Sequence, residues 1–178
     1  MIKRYILTGT PGCGKTSIIN TLKNKNYSII HEAATDVIAY EQKIGNEKPW
    51  EQPNFIDKII SLQKQRQMKA INDTASLQFY DRSPICTYAL ALYLNIKPSE
   101  ILLNEIERIQ NNKIYEKNTF FIENLGFCTP TEARTISFEE SLVFEKIHDE
   151  TYKKFGYECI KIPALPLLNR VNIILELV

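Results

Sequence analysis

Five short apolar runs, at residues 5–7, 27–31, 77–80, 119–122 and 157–162, punctuate this chain and read as strands. Longer stretches between them carry apolar residues at helical spacing: 16–23, 33–44, 55–73, a segment opening at Ser83-Pro84, then 99–110, 137–155 and 165–177. Ser83 and Pro84 fit the N-cap and first-turn positions of a helix. Ser137 and Glu140 fit a capping box, and Gly156 fits a stop. The third helix carries QKQRQ in its middle, a stretch expected to be solvated or to face a ligand. Strands that alternate with helices from end to end call for an α/β fold in three layers, a five-stranded parallel sheet with helices on both faces. Right-handed crossovers bring the C-terminal ends of such strands to one edge, and ligands bind there. No repeat, low-complexity stretch or linker divides the chain, so residues 1–178 are expected to form a single domain.

Composition narrows the function classes. Twenty-two basic residues stand against 21 acidic ones, which excludes the strongly basic balance of a nucleic-acid binder. The longest apolar stretch, about residues 85–96, is interrupted by Cys, Thr, Tyr and Asn and is too short to span a bilayer. Four cysteines (Cys13, Cys86, Cys128 and Cys159) are widely spaced, without a C-x-x-C. That spacing argues against zinc and for reduced thiols, so a cytoplasmic location is expected.

The candidate chemistry starts at GTPGCGKTS, residues 9–17, between the first strand and the first helix. Gly9, Thr10, Pro11, Gly12, Cys13, Gly14, Lys15 and Thr16 match G-x-x-x-x-G-K-[ST] in full, with Ser17 following. Bare backbone N–H groups in such a loop cradle phosphate oxygens, helped by the helix N-terminus behind them. Lys15 then supplies a compact positive charge to the β- and γ-phosphates, and the Thr16 hydroxyl is offered to Mg²⁺. A dinucleotide-binding turn is the competing reading, with Glu32 as its acid. The glycines fall as G-x-x-G-x-G rather than G-x-G-x-x-G, and Lys15-Thr16 has no task in that fold.

Other polar groups fall at the same edge. Glu32 follows the second strand and suits a general base or a substrate-fixing carboxylate; its bland alternative is a first-turn helix acid. Asp81-Arg82 ends the third strand, with Asp81 suited to orient Mg²⁺ and Arg82 to clamp developing charge. The alternative there is an Asp–Arg pair bracing the next helix. Arg134, in the loop after the fourth strand, suits a lid that closes on a γ-phosphate. His31 and His148 read as surface or packing residues, and Cys13 as a variable loop position, though its place beside the phosphates would allow oxidation. Trp50 fits either a substrate-facing aromatic or a small satellite core. Gln63, Gln65 and Gln67 are candidate substrate readers.

Taken in order, GTPGCGKTS, IIHEAATDVI, FYDRSP, FFIENLGF, TPTEARTISFEE and KKFGYECIKIP with NRVNIIL span essentially the whole chain. This series resembles the P-loop kinase-like AAA domain family that contains the ribosylnicotinamide kinase domain of NadR. The resemblance implies a P-loop NTPase fold of the nucleoside/nucleotide-kinase type. It implies Mg-ATP or Mg-GTP in the loop and a small-molecule, nucleoside-like acceptor opposite, with Glu32 and Arg82 beside the acceptor and Arg134 in a short lid. The family's acid before the lid arginine is often Asp, and here Glu132 stands. Two activities are expected to compete: γ-phosphoryl transfer from ATP to a nucleoside-like or nucleotide acceptor, and slow ATP or GTP hydrolysis gating a protein or lipid partner.

Overall fold

The computed structural model describes residues 2–126 and 137–178. Its sheet has five parallel strands in the order β2-β3-β1-β4-β5: β1 Lys3–Thr8, β2 Ser28–Ile30, β3 Leu77–Asp81, β4 Asn118–Ile122 and β5 Glu158–Ile162. The register sets Leu7 opposite Asp81 on one side and Phe120 on the other. The inner strands are buried on both faces, which is why they read as apolar runs without polar alternation.

Side chains leave a strand to alternate faces, so one strand feeds two cores. Tyr5, Leu7, Phe79, Phe120 and Ile122 pack with Ile18, Ile19 and Leu22 of α1 (Lys15–Asn24) and Val171 and Ile174 of α7 (Leu167–Glu176). Ile6 and Tyr80 point to the opposite layer. That layer holds α2 (Ala34–Lys43), α3 (Phe55–Ala70), α4 (Pro84–Tyr93), α5 (Glu100–Asn111) and α6 (Phe138–Lys154). Among the described residues no helix is long and apolar enough to cross a membrane.

The helix starts follow their sequence signals with one exception. Ser99 caps α5 by accepting from the Leu102 N–H at 3.2 Å, and Ser137 with Glu140 closes the capping box of α6. Ser83 occupies the N-cap of α4 but makes no side-chain cap. Its hydroxyl is instead 2.8 Å from Tyr152 Oη, because α6 crosses α4 there. The 49–51 segment forms a single 3₁₀ turn that the loop composition did not reveal.

One face of α6 puts Phe144, His148 and Tyr152 in line at i, i+4 and i+8, all buried. His148 Nδ1 lies 3.0 Å from the Phe144 carbonyl, and its ring centroid is 4.2 Å from that of Phe144. A carbonyl only accepts, so Nδ1 carries the proton and Nε2 is left as an acceptor. Burial, together with the charge of Arg82, holds the His148 pKa down to about 3, against an ordinary value of 6.5. Between those two values the unfolded chain binds a proton that the folded chain refuses. Stability is therefore expected to be full above about pH 6.5 and to drop as pH falls toward 3, by up to ~1.4 kcal/mol per pH unit. Urea denaturation across that range checks this: His148→Gln should flatten the profile, and parallel profiles would count against it.

Candidate functional site

The loop of residues 9–14 leaves β1 and turns back into α1 through three left-handed glycines, Gly9 at φ 140°, Gly12 at 84° and Gly14 at 78°. A side chain at Gly14 would be strained by its φ and would meet Arg170 Nη1 at 2.9 Å. Gly14 is also the N-cap, with no side-chain cap and no acid in the first turn, so the helix N-terminus faces no competing anion of its own. Thr10, Gly12, Cys13, Gly14, Lys15 and Thr16 enclose a hollow of about 170 Å³. Thr10 Oγ1 is buried there without a hydrogen-bond partner among the described residues. A bare hollow with an orphaned hydroxyl at the positive end of a helix is suited to phosphate oxygens.

Two ion pairs stand at the edge. Lys15 Nζ is 3.0 Å from Asp81 Oδ1, with the two side chains only 4% and 8% exposed. Arg82 Nε donates to Glu32 Oε1 at 2.7 Å. Arg82 has φ 72°, a left-handed conformation that costs an L-residue about 1–2 kcal/mol, while its own N–H bonds the Leu7 carbonyl at 3.0 Å. Burial is the largest single influence and works against the Arg82 charge, but the Glu32 carboxylate together with Cys86, Asp81 and Cys13 outweighs it and the pKa moves up. The guanidinium stays charged. Thr35 donates to the other Glu32 oxygen at 3.0 Å, and Arg66 of α3 bonds the His31 and Glu32 carbonyls and Asp36. The carboxylate is thus held from its backbone as well as its side chain.

Beside these pairs lies an apolar cavity of about 180 Å³ between α2, α3 and α4. Trp50, Phe55, Ile59 and Phe144 supply apolar wall, and Glu32 and Arg82 supply charge. Pro11 of the phosphate loop belongs to the same wall, so hollow and cavity adjoin. An open groove of about 1000 Å³ reaches the same edge, where Thr16, Glu32 and Asp81 border it. Among the described residues no three His, Cys, Asp or Glu cluster as a metal cage. Mg²⁺ needs no such cage when phosphates supply most of its oxygens, and the Thr16 hydroxyl with the Asp81 carboxylate suits that role.

Glu32, Asp81 and Arg82, read from sequence as strand-end candidates, therefore stand beside Lys15 of the phosphate loop. Asp81 and Arg82 do not pair with each other, which removes the bracing alternative. Of the three glutamines, Gln63 lines the cavity, Gln65 is exposed, and Gln67 is buried and accepts from Arg108 at 2.7 Å. Trp50 packs partly buried on the main core, not on a satellite of its own, and lines the cavity. Cys13 is buried at 1% exposure, which leaves it a packed loop position and counts against oxidation there. Cys13, Cys86 and Cys159 are free. Arg134, Glu132 and Cys128 lie outside the described residues. Sequence inspection missed Arg66, whose only signal was the QKQRQ stretch, and Arg170, which has no local signature.

Comparisons with known proteins bear on the fold that carries this site. Among curated proteins, none matches the chain in sequence. The deoxyadenosine kinase of M. mycoides, in a structure with dCMP and dCDP bound, superposes with a TM-score of 0.62 over 97% of both chains at 16% identity. The NadR protein in complex with NAD and AMP-PNP superposes with a TM-score of 0.69 at 16% identity, over 98% of this chain and 49% of NadR. Such likeness shows a P-loop, nucleotide-kinase-like architecture. The AAA domain family matches residues 4–170, nearly the whole chain. The chain belongs to that AAA domain family, with a P-loop NTPase fold structurally related to nucleoside and NadR-type kinases.

Proposed function

We propose that the protein is a Mg-ATP-dependent small-molecule kinase that phosphorylates a hydroxyl of a nucleoside-like acceptor. One observation carries the reading: an apolar cavity whose lining includes a carboxylate, Glu32, and a guanidinium, Arg82, also takes in Pro11 of the phosphate loop. A polyphosphate in the loop and a flat, uncharged ring in the cavity would bring the two reacting groups to Glu32 and Arg82. Family membership and the fold shared with nucleoside kinases support it.

Lys15 would leave Asp81 for the β- and γ-phosphate oxygens, exchanging one buried anion for another. Mg²⁺, held by Thr16 and Asp81, would supply charge neutralisation along the phosphate chain. Glu32 would take the proton of the acceptor hydroxyl as its oxygen attacks the γ-phosphorus, and the bond to the β-bridging oxygen breaks to release ADP. Arg82, fixed by Glu32 and by its strained backbone, would meet charge on the transferring group without having to reorganise. Trp50 and Gln63 would hold the acceptor ring, Gln63 through an amide already oriented by Ser83 and Thr87.

ATP consumption measured alone and against a panel of nucleosides and nucleotides tests the proposal. One acceptor should stimulate turnover strongly, with a new phosphorylated mass. Glu32→Gln should cut that rate by about 10² or more while leaving nucleotide binding in place. Equal slow turnover with every acceptor, unaffected by Glu32→Gln, would point instead to a nucleotide-gated hydrolase. Steady-state kinetics of Trp50→Ala should show the acceptor KM rising about ten-fold with the ATP KM unchanged. A rise in both would place Trp50 outside the acceptor site.

A further inference from the structure

The phosphate loop is gripped from behind by a residue far away in sequence. Arg170, in α7, is 3% exposed, and its Nη2 donates to the Cys13 carbonyl at 2.6 Å. Its Nη1 lies 2.9 Å from where a Cβ of Gly14 would stand, and its Nε has no hydrogen-bond partner among the described residues. A buried guanidinium with a donor to spare is costly, and burial pulls its pKa down from the usual arginine value. Val171 and Ile174, both fully buried, lock α7 against α1, so the guanidinium is held on a rigid element.

Planarity of the peptide makes this contact matter for the ligand. The Cys13–Gly14 peptide is trans, so its C=O and N–H point in opposite directions. Cys13 and Gly14 line the phosphate hollow, whereas Arg170 does not. Drawing the carbonyl toward Arg170 therefore turns the Gly14 N–H the other way, toward the hollow. A free carbonyl could rotate inward and present its negative end to a phosphate. The buried positive charge also stands about one residue behind the cradle, in low dielectric, where it adds to the field on an anion.

We propose that Arg170 is a positioning residue of the phosphate loop, orienting the Cys13–Gly14 peptide for the polyphosphate of a nucleoside di- or triphosphate. The proposal rests on the nucleotide occupying this loop. It assigns Arg170 an effect on nucleotide affinity and none on the acceptor.

Calorimetric titration of wild type, R170M and R170K with Mg-ADP, together with initial rates at varied ATP and acceptor, tests it. R170M should bind Mg-ADP about ten-fold more weakly and raise the ATP KM by a similar factor, leaving the acceptor KM unchanged. R170K, which keeps a charge and one donor, should recover most of the loss. R170M binding within about two-fold of wild type, or a folded R170K as weak as R170M, would overturn the proposal while leaving the kinase reading intact. Wild type that binds no nucleotide would overturn both. Guanidinium NMR of arginine-labelled wild type gives an answer even if R170M does not fold. The Arg170 signals should shift on adding Mg-ADP, and an unmoved Arg170 beside a shifted Gly14 amide would overturn the proposal.

Discussion

A lysine buried beneath a phosphate-sized hollow sets the terms for the rest of the molecule. At 4% exposure the Lys15 ammonium cannot rely on water, so it must face an anion, and Asp81 provides one at 3.0 Å. The pair ties the end of β3 to the start of α1, across strands that lie side by side in the sheet. Under the proposed function a polyphosphate with its metal would offer each partner of the pair a replacement of the right sign.

A second, partly buried pair repeats the logic one strand further out. β2 neighbours β3, so Glu32 and Arg82 follow the C-terminal ends of adjacent parallel strands and meet at 2.7 Å. Arg66 and Thr35 then hold Glu32, and a left-handed backbone turns Arg82. The apolar cavity lies between the Glu32–Arg82 pair and Pro11 of the loop. Charge on one side and aromatic wall on the other are what a small ring bearing a reactive hydroxyl would need.

The parts legible in the sequence were those with local causes. The glycine pattern with Lys15 and Thr16 marked the loop, the apolar runs placed all five strands, and the Ser137–Glu140 capping box and the Ser83-Pro84 pair placed the starts of α6 and α4. Strand ends named Glu32, Asp81 and Arg82, because in a parallel sheet those ends share an edge. Their pairing was not legible, since it depends on strand order, and order is a long-range property. Neither was the sorting of Gln63 from Gln65 and Gln67, which turns on helix rotation against α4 and α5. Arg170 was hidden for the same reason: it lies 157 residues from the carbonyl it binds. Ser83 shows local propensity overridden by packing, its hydroxyl taken by Tyr152 instead of the helix end.

Isothermal titration of Mg-ATP into the wild-type protein and into Lys15→Ala examines the buried ammonium directly. The account predicts one nucleotide per chain for wild type and an affinity lower by roughly ten- to a hundred-fold without the lysine. Equal affinity for both proteins, or no heat from either with magnesium present, would contradict it.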